Sequence, residues 1–208
     1  MTARLTFIGV LLLLAALCFM RAAWLVRHGV YYQAPGSIVT AGAIGITREN
    51  VPDASEMQKL MQRRLLIPVM GVDRMHLRDN FYDMRGGGSH RHDALDIMAP
   101  RGTPVVAADS GRISKLMRGG AGGNTIYESD LVGKYAYYYA HLDRYAANLR
   151  EGSFVVRGDV IGYVGTTGDA TRDAPHLHFA ILKVGRGGRL WSGEAVNPYP
   201  FLVQQDAR

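Results

Sequence analysis

The chain has 208 residues, 48% of them hydrophobic, which suffices for one packed domain with appendages and excludes a disordered polypeptide. Its 24 basic and 18 acidic residues give a net charge of +6, favouring an anionic partner such as a membrane surface or an acidic wall polymer. The basic residues are dispersed, with no Lys/Arg block or aromatic-interleaved stripe, so no nucleic-acid partner is expected, and the single cysteine, Cys18, excludes an intrachain disulfide.

From Leu5 to Met20 the sequence carries no charge, and Arg4 with the terminal amine supplies a positive flank. As a helix this run would reach about 24 Å, a little short of a hydrocarbon core of about 30 Å; Ala22 to Val26 extend it if Arg21 snorkels to the interface. Residues 1–28 are therefore expected to be a single-pass anchor, with Trp24 at the membrane boundary. A cleaved signal peptide is the alternative, since Ala16 and Cys18 are small residues suitably spaced for cleavage before Phe19.

Val30 to Asn50 contains Pro35 and several Gly and Ala steps without a helical period, and is expected to be a linker. A short amphipathic helix is predicted from about Ala54 to Leu66: Asp53 or Ser55 can cap it, and Met57, Leu60, Met61 and Leu65 form one apolar stripe. Pro68 should end it. Residues 29–66 are thus assigned to linker and helix, 67–203 to the principal domain and 204–208 to a tail.

Beyond Ile67 the pattern is mainly β, with 25 glycines in the chain punctuating short apolar runs. Strands are expected at Thr103 to Ala108, from the Asp109-Ser110-Gly111 turn through Ile113, at Tyr135 to Leu142 and at His176 to Leu182. Phe154 to Val164 reads as a tight hairpin turning at Arg157-Gly158-Asp159, and that turn explains the tripeptide better than adhesion-receptor binding does. The clusters Gly86 to Gly88, Gly119 to Gly123 and Gly185 to Gly188 lack a phosphate-loop spacing and are expected to be flexible connections.

The chemistry lies in the histidines: His28, His76, His90, His92, His141, His176 and His178. In His176-Leu177-His178-Phe179-Ala180-Ile181 a strand puts both imidazoles on one face and Leu177, Phe179 and Ile181 on the other. The same parity places His92, Ala94 and Asp96 together, opposite Leu95 and Ile97, and the pair can converge if the strand bends. Two imidazoles and one carboxylate make a three-ligand tetrahedral zinc site with its fourth position open to water, the arrangement of a hydrolytic zinc. A structural zinc would want thiolates that Cys18 cannot supply. By parity His90 competes with His92, whereas His28 and His76 are expected to be surface or packing residues and Asp93 to face solvent.

The succession Arg91-His92-Asp93-Ala94-Leu95-Asp96-Ile97, Ala99 to Val105, Tyr139-Ala140-His141-Leu142, Val156 to Gly162, Gly165-Thr166-Thr167-Gly168, Pro175-His176-Leu177-His178-Phe179 and Val196-Asn197-Pro198 closely resembles the M23 peptidases, the LytM or lysostaphin-type metallopeptidases. The resemblance runs from about Arg85 to Leu202. It implies a small antiparallel β-sheet, open-sandwich peptidase domain and one zinc per chain on His92, Asp96 and His178. It also implies catalytic assistance from His141 and His176, and a substrate in the peptide stems or cross-links of peptidoglycan. Ala94 stands where glycine is frequent, and Ala180 where the family usually has a glutamate.

Two functions follow from the resemblance. The first is a membrane-anchored zinc endopeptidase, single-pass in the cytoplasmic membrane with its domain outside the cytoplasm, or secreted after signal cleavage. The second is a non-enzymatic LytM-like module that binds and activates a wall hydrolase, with cell-wall or division proteins as partners. Modules of the second kind usually lack some of the ligands, and none is missing here.

Overall fold

In the computed structural model the described residues are 30–33, 37–40, 54–185, 190 and 193–204. The anchor or signal peptide expected over 1–28, with its apolar run Leu5–Val26, lies outside them, as does the tail beyond Gln204. Among the described residues no helix is long and apolar enough to cross a membrane.

The chain divides into two units, Met1–Glu56 and Met57–Arg208. In the first, β1 (Val30–Gln33) and β2 (Ser37–Thr40) pair antiparallel, Val30 opposite Thr40, within the stretch expected to be linker.

Helix α1 (Ala54–Gln62) is shorter than its apolar pattern suggests. Arg64 adopts a left-handed φ of 51°, which breaks the helix and sends Leu66 N–H to the Ala108 carbonyl at 2.9 Å. The guanidinium of Arg157 donates to the Arg63 and Arg64 carbonyls at 3.1 and 2.9 Å, satisfying acceptors freed at the helix end. Leu60 is fully buried and Leu65 nearly so, so the core extends upstream of residue 67, where the sequence places the start of the domain.

The rest is an antiparallel sheet built from β5 (Leu95–Met98), β6 (Pro104–Val106), β7 (Gly111–Met117), β8 (Asn124–Asp130), β9 (Tyr135–Tyr145), β10 (Phe154–Val155), β11 (Val160–Val164), β12 (His176–Lys183) and β13 (Glu194–Val196). The order β10-β7-β8-β9-β11-β6 runs across one path, while β12 joins β9 to β5 and β13. A small hairpin, β3 (Met84–Arg85) with β4 (His90–Arg91), precedes the sheet, and α2 (Tyr199–Leu202) follows it. Tyr137, Tyr139, Leu142, Leu177, Phe179 and Ile181 are fully buried and pack with Leu95 and Ile97. Each such side chain contributes about 1.5–3 kcal/mol by leaving water.

Phe154 to Val164 is not a hairpin. β10 pairs with β7, and β11 pairs with β6 and β9. The turn at Val156 to Asp159 does form, with Asp159 N–H on the Val156 carbonyl at 2.9 Å, but its outer backbone is claimed by Ala107. Gly158 N–H donates to the Ala107 carbonyl and Ala107 N–H to the Asp159 carbonyl, both at 2.9 Å, so the two arms separate into different neighbours.

The long strand β9 positions the site. Residues 135–140 pair with β12, whereas residues 142–145 pair with β11. The sheet forks between these two stretches, and His141 stands at the fork.

Candidate metal centre

Strand parity works as expected on β12: Leu177, Phe179 and Ile181 fill the core while His176 and His178 occupy the opposite face. His178 lies opposite both Asp96 of β5 and Ala140 of β9, which places it in the middle of three strands.

Parity is broken on the other two segments. Asp93 has a left-handed φ of 53°, so His92 reaches the site through a turn that ends where β5 begins. Ala94, expected beside His92 and Asp96, is fully buried. On β9, continuous alternation would put His141 on the core side with Tyr137 and Tyr139. A bulge intervenes, because Asn124 pairs with Leu142 but Ile126 pairs with Tyr139, and His141 takes a φ of 59° that turns its ring to the opposite face.

The bulge is held by backbone packing that requires glycine. His141 N–H donates to the Gly122 carbonyl at 2.8 Å, and Asp169 N–H to the Ala121 carbonyl at 2.9 Å. A Cβ on Gly168 would overlap the Ala121 carbonyl, and one on Gly123 would overlap Thr167. Gly122 and Gly123 of the Gly119 to Gly123 cluster are thus close-packed, beside Tyr138 and Thr167 respectively, whereas Gly119 and Gly120 face open space.

Three ligand atoms converge. His92 Nε2 lies 2.9 Å from Asp96 Oδ1 and 3.1 Å from His178 Nδ1, and His178 Nδ1 lies 3.3 Å from Asp96 Oδ1. Tetrahedral zinc with bonds of about 2.0–2.1 Å separates its ligand atoms by roughly 3.3 Å, so two imidazoles and a carboxylate at these distances fit that ion. The donor set His92, Asp96 and His178 is the group able to hold a metal among the described residues.

The surroundings fix which atom His92 and Asp96 present. The Asn80 carbonyl, 3.0 Å from His92 Nδ1, can only accept, so Nδ1 carries the proton and Nε2 offers a lone pair to the site. Arg85 Nη2 donates to Asp96 Oδ2 at 2.7 Å, leaving Oδ1 for the cluster. Asp96 N–H donates to Asn80 Oδ1 at 3.2 Å. Burial opposes ionisation of Asp96, but its contacts with His178 and His92 outweigh it and hold the carboxyl well below the usual carboxylate range.

His141 and His176 stand beside this cluster with ring centroids 5.0 Å apart. His141 Nδ1 faces the Thr167 carbonyl and His176 Nδ1 the Ala174 carbonyl, both at 2.9 Å, so each ring carries a proton there; His141 Nε2 lies 4.0 Å from Asp169 Oδ1. His176 Nε2 is 3.7 Å from Asp96 Oδ1. Burial first, then the neighbouring His178 and His176, lower the pKa of His141 against the opposing pull of the Thr167 carbonyl and Asp169.

These five residues share a groove of about 350 Å³, whose lining also includes Arg85, Gly86, His90, Asp169, Ala170 and Thr171. His90 therefore reaches the groove, but its Nδ1 is engaged with Ser89 Oγ at 2.9 Å and it is not one of the three clustered ligands. His76 is exposed on a short turn of 3-10 helix, and His28 lies outside the described residues. Asp93 is partly exposed and pairs with Arg91 at 3.4 Å. Sequence reasoning missed Asn80 and Arg85; the Arg that opens the resemblance was the available signal for the second, and nothing marked the first.

Comparison with known proteins agrees with the geometry. Peptidase family M23 matches residues 90–198, just over half the chain. The L-Ala–D-Glu endopeptidase of Bacillus subtilis is 35% identical over 131 residues, covering 60% of this chain and 39% of that protein. Lysostaphin of Staphylococcus simulans is 36% identical over 112 residues, 53% of this chain and 21% of that one. The DD-carboxypeptidase/endopeptidase Mpg of Neisseria meningitidis is 38% identical over 121 residues, 55% of this chain and 25% of that one. The chain therefore spans well under half the length of these relatives. Among solved structures, that of LytU is 32% identical with a TM-score of 0.51, covering 61% of this chain and 83% of that one.

Proposed function

Since the chain belongs to peptidase family M23, we propose that it is a membrane-anchored zinc endopeptidase that hydrolyses peptide cross-links of peptidoglycan. The observation that carries this reading is the convergence of His92 Nε2, Asp96 Oδ1 and His178 Nδ1 within 3.3 Å of one another, beside two imidazoles each hydrogen-bonded through Nδ1 to a backbone carbonyl. The similarity to an L-Ala–D-Glu endopeptidase and to a DD-carboxypeptidase/endopeptidase supports peptide stems or cross-links as the substrate.

When bound, zinc supplies a Lewis acid that lowers the pKa of water to about 7 and polarises the scissile carbonyl. The chain supplies the rest. Asp96, kept ionised and held by Arg85, would hold the metal together with His92 and His178. His141 and His176, each pinned through Nδ1 on a backbone carbonyl, aim Nε2 as proton acceptors during attack on the carbonyl and return the proton to the leaving amine. The groove holds the peptide against these atoms.

The apolar run Leu5–Met20 supports a single-pass anchor over residues 1–28 in the cytoplasmic membrane, with the peptidase unit outside the cytoplasm. Export to the wall is what a peptidoglycan substrate requires. Purified protein incubated with peptidoglycan sacculi should release peptide fragments, and His178→Ala should release none. A zinc-loaded protein that leaves sacculi of varied chemistry intact, yet stimulates a wall amidase, would instead favour the non-enzymatic activator.

A further inference from the structure

The ligand-bearing segment His92 to Asp96 rests on a strap formed by residues 79–83. His92 N–H donates to the Asp83 carbonyl at 2.8 Å and Asp93 N–H to the Phe81 carbonyl at 3.0 Å. Asn80 reaches both ligands on this segment: its carbonyl takes the Nδ1 proton of His92 at 3.0 Å and its Oδ1 takes the Asp96 N–H at 3.2 Å. One residue thus orients an imidazole and fixes the backbone from which a carboxylate projects.

The strap is tied in turn to the far end of the chain. Asn197 Nδ2 donates to Asp79 Oδ1 and Oδ2 at 3.2 and 3.1 Å, and Asp79 Oδ1 also accepts Phe81 N–H at 3.2 Å. Asn197 Oδ1 accepts Tyr199 N–H at 2.9 Å at the start of α2, whose Phe201 and Leu202 are buried in the core. The Val196-Asn197-Pro198 motif takes no part in the chemistry described above. Its role is an anchor: the core holds α2, α2 holds Asn197, Asn197 holds Asp79, and the strap carries Asn80.

We infer that Asn80 is the positioning residue of the metal centre, fixing His92 and Asp96 together, and that the Asn197 to Asp79 pair anchors it. This rests on the metal-centre reading above. Partners that orient metal ligands influence affinity through the ligand's direction and basicity, and their loss commonly lowers affinity or activity by about 10- to 100-fold. Replacing Asn80 by alanine leaves its carbonyl but removes the Oδ1 acceptor, freeing the Asp96 backbone. Asn80→Asp keeps an acceptor oxygen in the same place.

The test is zinc affinity of the full chain, measured by competition with a chromogenic chelator, alongside the visible absorption of the Co(II)-substituted protein and the melting temperature of the metal-free form. Asn80→Ala should bind zinc about 10- to 100-fold more weakly and alter the Co(II) spectrum, Asn80→Asp should recover most of the affinity, and Asn197→Ala should show a smaller loss. A wild-type chain that takes up no zinc removes the metal-centre reading itself. If the wild type binds zinc and Asn80→Ala binds it equally well, only the present inference falls; a lowered melting temperature with unchanged affinity marks a role in folding and overturns it too. So does an Asn80→Asp variant as impaired as Asn80→Ala. Should Asn80→Ala fail to fold, Asn197→Ala carries the test, and unchanged zinc affinity there overturns the inference.

Discussion

Arg85 Nη2 sits 2.7 Å from Asp96 Oδ2, the carboxylate oxygen that His92 and His178 leave free. The two oxygens of one carboxylate are thereby divided between a fixed cation and the ligand cluster. Arg85→Met keeps the stem but removes the charge and the Nη2 donor, and should lower metal affinity or turnover by about 10- to 100-fold. Arg85→Lys should recover only part, because a flexible ammonium is less pre-organised than the planar guanidinium. Chelator competition and steady-state turnover on the same preparations check both statements.

Ligand choice is tested by metal content. His178→Ala and Asp96→Ala each leave two of the three ligands and should be purified with far less than one zinc per chain. His90→Ala, although it opens onto the same groove, should retain full stoichiometry. Elemental analysis after dialysis distinguishes them, and loss of zinc in His90→Ala would return that residue to the ligand set.

His141 and His176 should separate chemistry from binding. Their alanine variants are expected to keep zinc, lose roughly 10²- to 10⁴-fold in kcat and change KM little. Burial, the largest influence on His141, lowers its pKa below the ordinary 6.5, and the two neighbouring imidazoles add to that. A base must be neutral to act, so the acidic limb of the wild-type rate profile that reports His141 should lie below 6.5, with activity rising as pH increases through it. A pH–rate profile whose limb is unchanged in His141→Ala would assign that limb to another group.

Away from the site, Glu128 is fully buried, and burial pushes its pKa up to about 8; Tyr139, whose hydroxyl donates to Oε2 at 2.6 Å, only partly opposes this. The folded protein therefore keeps this carboxyl protonated in a range where the unfolded chain, near the ordinary 4.5, ionises it. The unfolded state binds fewer protons there, so this contribution to stability is complete below 4.5 and is lost as pH rises to about 8. Its slope is at most about 1.4 kcal/mol per pH unit. Denaturant unfolding at several pH values should show the decline in wild type and a flatter dependence in Glu128→Gln.

How much of this was legible in the sequence depends on the range of the interactions. His176 and His178 could be put on one face because β12 is regular, and alternation needs no knowledge of distant partners. His141 could not be reached by parity, since the bulge that turns it depends on Asn124, Gly122 and Thr167 brought from other strands and loops. The supposed hairpin at Arg157 to Asp159 failed for the same reason: the turn was visible, but Ala107, which separates its arms, lies about fifty residues upstream. Asn80 carries no local pattern at all. It matters through two hydrogen bonds that exist only once residues 79–83 lie across His92 and Asp96.

The proposed activity of the His92, Asp96 and His178 cluster is cleavage of peptide bonds in peptidoglycan. The most direct measurement is mass spectrometry of muropeptides from defined, cross-linked sacculi after incubation with zinc-loaded wild-type protein or with His178→Ala. Cross-linked muropeptides should fall and products with newly exposed peptide termini should accumulate with wild type alone. Unchanged muropeptide profiles across sacculi of differing stem and bridge chemistry, with one zinc per chain verified in the sample, would contradict the account.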